Sequence, residues 1–188
     1  MKERFEKLLS SVQREGIDNL LDFIRRSDFY TAPASTRFHG AKEGGLLEHS
    51  LNVWDCLHCK VANPTWKTAL DGIEDDTFKI VSLLHDICKT YYYTTEMRNV
   101  KENGVWVQKP YYTVKDQIPY GHGEKSIMMI EEYIKLKPVE RYAVRWHMGS
   151  YSGQQDWNTL STAMEKYPLV LALHEADMEA THLLEAEE

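Results

Sequence analysis

The sequence predicts an all-α fold, a helical bundle carrying a small inserted β-hairpin at about residues 91–114. Three observations carry that expectation. Apolar residues recur at three- and four-residue spacing along most of the 188 residues. The clearest break in that period flanks Asn103-Gly104, and an Asn-Gly pair between β-prone runs is the strongest short-range hairpin signal, because both central residues of a type I′ turn need positive φ. The length suits one domain, 1–188.

The elements follow in order. Phe5, Leu8, Leu9 and Val12 keep helical spacing up to Gly16, and Ile17, Leu20, Leu21 and Ile24 resume it, so two short helices open the chain. A loop runs through Pro33 to Gly44-Gly45. Leu46, His49, Val53 and Leu57 mark a third helix, closed at Asn63-Pro64 because the residue before proline is pushed out of the helical region. Asp75 or Asp76 caps a helix that carries Phe78, Val81, Leu84 and His85 to about Lys89. After the hairpin, helices are expected at 123–136, 138–147, 157–166 and 168–184, with 149–153 as loop.

Composition excludes several classes. The chain is 43% hydrophobic and carries 11 Tyr, 5 Trp and 5 Phe, enough for a packed core. Its net charge of −7, from 22 bases and 29 acids, argues against a long duplex nucleic acid as partner, since such binders neutralise phosphates with basic residues. The longest apolar run, 167–173, is far short of the roughly 18 to 20 residues that span a bilayer, so no membrane partner is expected. The opening residues mix acids with bases and contain no signal-peptide core, which makes a cytoplasmic location the expectation. Cys56, Cys59 and Cys88 are then reduced thiols, and Cys56 and Cys59 read as buried or half-buried helix residues.

The chemistry lies in polar residues placed where the helical pattern wants apolar ones: His49, the adjacent pair His85-Asp86, and Asp177. Imidazole and carboxylate are ligand types of divalent metals, and separate helices donating one or two groups each is how a bundle builds a metal site in its core. Taken singly, each is also what a hydrogen-bonded core residue looks like.

The matching segments are Gly44-Gly45-Leu46-Leu47-Glu48-His49-Ser50, Leu84-His85-Asp86-Ile87-Cys88-Lys89, Gly121-His122-Gly123, Trp146-His147-Met148 and His174-Glu175-Ala176-Asp177. In order and spacing they resemble the HD superfamily of metal-dependent phosphohydrolases, and most resemble the catalytic HD domain of bacterial YhaM-type 3′-to-5′ exoribonucleases. The resemblance implies that His49, His85, Asp86 and Asp177 hold a first divalent ion. It also implies that His122 and His147 complete a second site bridged by Asp86, although some two-metal members have consecutive histidines where this chain has Trp146-His147. The ions, one or two, would be drawn from Mn, Fe, Ni, Co, Mg or Zn.

In such a site a water held by the ions loses a proton near neutral pH, and the hydroxide attacks phosphorus in line. Asp86 and Lys89 are then the expected catalytic residues, Lys89 sharing the helix face of His85 and Asp86 and neutralising a substrate phosphate. Lys125 and the glycines beside it, with Arg37, His39 and Arg145, are candidate substrate contacts, and the hairpin tyrosines and Trp106 are candidates to stack a base. Met178 stands where a zincin motif needs its second histidine, Cys88-Lys89 replace the acidic pair of alarmone hydrolases, and 188 residues leave no room for an added nucleic-acid-binding domain. The expected function is hydrolysis of a phosphomonoester or phosphodiester in a nucleotide, short oligonucleotide or small phosphorylated metabolite. The alternative is a non-catalytic HD module that senses a nucleotide. An oligomer is compatible with either.

Overall fold

The computed structural model describes residues 1–37 and 40–186. It is mostly helical, 59%, with one two-stranded antiparallel sheet. The amphipathic helices α1 (Lys2–Ser10) and α2 (Ile17–Arg26) bury Phe5, Leu9, Leu20 and Ile24, and Phe5 packs on Phe29 with ring centroids 5.1 Å apart. The long helix α3 (Gly45–Ala62) runs through the core, with Leu46, Val53 and Leu57 fully buried. A short helix α4 (Pro64–Ala69), too brief to show a period in the sequence, starts where the Asn63 side chain accepts a hydrogen bond from the Thr65 N–H at 3.0 Å. Helix α5 (Asp75–Leu84) then packs on α3 through Phe78, Val81 and Leu84.

The hairpin pairs β1 (Tyr93–Glu102) with β2 (Val105–Val114), Val100 opposite Val107. Asn103 (φ 49°) and Gly104 (φ 85°) both take the positive values that the turn demands. Near its base the hairpin is half-buried, at Tyr93, Thr94 and 111–113, whereas most residues toward the turn are exposed. Helices α6 (His122–Glu131), α7 (Pro138–Trp146), α8 (Trp157–Lys166) and α9 (Pro168–Glu179) complete the bundle, α9 lying against both α3 and α7. A π-helical turn, Ala180–Leu184, continues α9.

Four expectations need correction. The helix carrying His85 ends at Leu84, and Lys89 sits on a separate 3₁₀ turn, Ile87–Lys89. The cause is local: His85 Nδ1 lies 2.9 Å from the Ser82 carbonyl, the acceptor that the Asp86 N–H would need to continue the helix. Helix α6 stops at Glu131 and not near 136, its last turn closing where the Tyr133 and Ile134 N–H groups both donate to the Ile130 carbonyl at 3.0 Å, and Lys137 before Pro138 is already extended (ψ 154°). Cys59 is exposed, while Cys56 is half-buried, and both are free thiols. Residues 149–153, expected as loop, include a 3₁₀ turn, Gly149–Ser152.

Candidate metal centre

Two glycines deliver the first histidine. Gly44 caps α3 in a left-handed conformation (φ 78°), and Gly45 sits so close to the Gly40 carbonyl that a Cβ would collide with its oxygen. The tight start fixes the first turn of α3, and His49, 1% exposed, follows on its buried face. His85 and His147 arrive by a shared device. Each is the residue after its helix, α5 or α7, and each turns Nδ1 back onto the carbonyl three residues earlier, His85 to Ser82 at 2.9 Å and His147 to Val144 at 2.8 Å. A neutral imidazole that donates from Nδ1 keeps a lone pair on Nε2, and in both residues Nε2 faces the cluster.

The donors converge. His49 Nε2 is 3.2 Å from Asp177 Oδ1, 3.3 Å from His85 Nε2 and 3.7 Å from Asp86 Oδ2, while His147 Nε2 is 3.5 Å from Asp86 Oδ1. His122 Nε2 meets Asp86 Oδ1 at 2.6 Å, with Cys88 Sγ 3.2 Å from its Nδ1. Helix α6 comes near enough to α7 for this because Gly123 has no Cβ, which would lie 2.5 Å from the Arg145 carbonyl oxygen. Ligand atoms of His49, His85 and Asp86, of His85, His147 and Asp177, and of Asp86, Cys88 and His122 fall into three groups, each within 4.8 Å. His147 Nε2 is buried without a hydrogen-bond partner. An orphaned ring nitrogen aimed at a carboxylate, among imidazoles whose outer nitrogens are already engaged, fits a divalent ion.

Charge follows the same geometry. Burial opposes a charge on His49, but hydrogen bonds to Asp177 and Glu185 outweigh it and hold the ring's pKa up, at about 10. Burial drives His85 down to about 3 and lowers His122. It also opposes charge on His147, where Asp86 prevails and the net shift is upward. Asp86 stays ionised well below the usual carboxylate range, because Lys89, His85 and His122 outweigh its burial, and His49 does the same for Asp177. The imidazolium of His49 thus sits among carboxylates where a cation is favoured.

His49, Asp86, His122 and Asp177 floor a cavity of about 750 Å³, with His85 and His147 fully buried beside them, and its walls include Arg37, Lys89, Met148, Tyr151, Met178 and His182. All six expected metal ligands come together. Lys89 Nζ is 2.6 Å from Asp86 Oδ2, reached from the 3₁₀ turn and not across a helix face, and Arg37 lies on the cavity wall. Lys125 and Arg145 do not line it. The Lys125 ammonium is buried against Asp116 at 2.6 Å in a separate recess of about 50 Å³, and Arg145 pairs with Glu124 at 2.5 Å while lying over Trp146. Gly121 and Gly123 serve packing against Glu124 and α7 rather than opening a phosphate loop. Trp106 is exposed on the hairpin, away from the cavity walls, and His39 lies outside the described residues.

Sequence reasoning missed Glu185 and Asn52. The Glu185 carboxylate lies 3.1 Å from His49 Nδ1, and Asn52 Nδ2 donates to it at 2.9 Å. Asn52 was findable, three residues after His49 on the same helix face; no periodicity points to Glu185. Among the described residues, no helix is long and apolar enough to cross a membrane. No protein-family model, no curated protein and no solved structure matches the chain.

Proposed function

We propose that the chain is an HD-type metal-dependent phosphohydrolase. Its pocket would hold one or two divalent ions, and its substrate would be a nucleotide, a short oligonucleotide or another small phosphorylated metabolite, cleaved at a phosphomonoester or phosphodiester. The observation that carries this reading is the convergence of His49, His85, Asp86 and Asp177, from three segments of the bundle, beside a cavity sized for a small molecule that His49, Asp86 and Asp177 line. A divalent ion bound there would supply Lewis acidity, polarising phosphoryl oxygen and bringing the deprotonation of water near neutral pH.

The chain's own groups do the rest. Asp86 is shared between the donor group of His49 and His85 and that of Cys88 and His122, so its two oxygens tie the halves of the centre together. Lys89, anchored by Asp86, holds a fixed positive charge at the cavity wall where a phosphate would sit, and Arg37 offers a second. Met148 and Met178 give the remainder of the substrate an apolar wall.

The test is turnover of a panel of nucleotides, dinucleotides and a model phosphodiester by purified protein with Mn, Mg, Co or Ni. Metal-dependent hydrolysis, abolished by chelator and lowered about a hundredfold or more by Asp86→Asn, is expected. Nucleotide binding without turnover under any metal would replace the enzyme with a nucleotide-sensing module.

A further inference from the structure

Asp177, on α9, and Glu185, just past the π-helical turn that continues it, are eight residues apart, yet both reach the same imidazole. Asp177 Oδ1 is 3.2 Å from His49 Nε2, and both Glu185 oxygens are 3.1 Å from His49 Nδ1. On an uninterrupted α-helix eight residues span about 12 Å of rise, too far for two short side chains to flank one ring. The π-helical turn at Ala180–Leu184 changes that course, with the Glu185 N–H returning five residues to the Ala180 carbonyl at 3.0 Å, and Glu185 leaves helical geometry (φ −113°, ψ 3°). Its side chain ends 4% exposed inside the cavity wall, and Asn52, one turn beyond His49 on α3, donates to it.

We propose that Glu185 is the positioning residue of the metal centre, its carboxylate fixing the His49 ring so that Nε2 is the nitrogen offered to the ion. The inference rests on the reading that this centre holds a divalent ion. His85 and His147 take their orientation from backbone carbonyls beside them in sequence. His49 lies mid-helix, where the Leu46 carbonyl already accepts from Ser50 Oγ at 2.9 Å, and its Nδ1 orientation comes from Glu185 instead. A carboxylate in that place both orients the ring and strengthens it as a ligand.

The test titrates the full chain with Co²⁺, followed by calorimetry and by the visible absorption of the bound ion. Glu185→Ala should weaken Co²⁺ binding about ten- to a hundredfold and change the absorption envelope, while Glu185→Asp restores part of both. Asn52→Ala, which removes the hydrogen bond that α3 donates to the carboxylate, should weaken binding less than Glu185→Ala. Wild-type affinity and spectrum in Glu185→Ala overturn the inference. So does an Asn52→Ala loss equal to that of Glu185→Ala, which would mark a general loosening of the segment. The stated Co²⁺ losses without any phosphohydrolase turnover support the positioning role while overturning the enzyme reading; a wild-type chain that takes up no Co²⁺ overturns both.

Discussion

On one flank of the centre His49 is 1% exposed and carries a carboxylate at each ring nitrogen; on the other, His122 keeps 31% of its side chain exposed and has a thiol against Nδ1. A carboxylate is a strong acceptor that raises the basicity of a ligating imidazole, whereas sulfur is a weak one. Burial also pushes the Cys88 thiol up to about 12, so it remains neutral. The inner flank is therefore a charged, tightly held donor set, and the outer flank is a neutral one whose chief anion, Asp86, it borrows from the inner. An ion on the inner flank should bind more tightly than one on the outer.

The largest expected effect breaks the comparison at its common point. Asp86→Ala should remove all bound metal, read by elemental analysis after gel filtration, while far-ultraviolet circular dichroism retains the helical signal. Retention of full metal content would refute the ligand assignment. His122→Ala should cost only the outer ion, leaving one equivalent with affinity within about threefold of wild type. Loss of both ions would make the flanks a single cooperative site.

A pH dependence sharpens the same contrast. His49 is protonated at neutral pH in the metal-free chain, with its pKa held near 10, and must lose that proton to ligate. Binding on the inner flank should release at least one proton at pH 7, and affinity should fall about tenfold per pH unit between pH 9 and 7. His122, its pKa lowered by burial, has no such proton to displace. Calorimetry in buffers of different ionisation enthalpy counts the release; none at pH 7 would place the ion away from His49. The smallest effect lies outside the centre, where Trp106→Ala on the exposed hairpin should change unfolding free energy by about 0.5 kcal/mol or less in a urea titration and leave metal content alone.

Much of this cluster was legible because its polar residues violate the pattern around them. His49 on an apolar helix face, and an adjacent His-Asp pair ending an apolar run, stand out in a sequence read for periodicity. Asn103-Gly104 was legible for a different reason, since the turn's backbone angles select those residues directly. What escaped depended on distance in three dimensions. Glu185 reaches His49 only through a π-turn that leaves no compositional mark, and Lys125 and Arg145 looked available for phosphate because their partners, Asp116 and Glu124, could not be assigned from spacing alone. Lys89 reached the place expected of it by an unexpected route, on a 3₁₀ turn created when the His85 ring took the Ser82 carbonyl.

That capture of a carbonyl by a ring, repeated where His147 takes the Val144 carbonyl, has an entropic consequence. The torsions of both rings are set by the ends of α5 and α7, so the freedom that a mobile histidine loses on ligation, a fraction of a kcal/mol to about 1.5 kcal/mol per side chain, has already been lost on folding. An arriving ion would meet a preorganised template, and the order of the helix ends, more than the ion, sets where these two imidazoles stand.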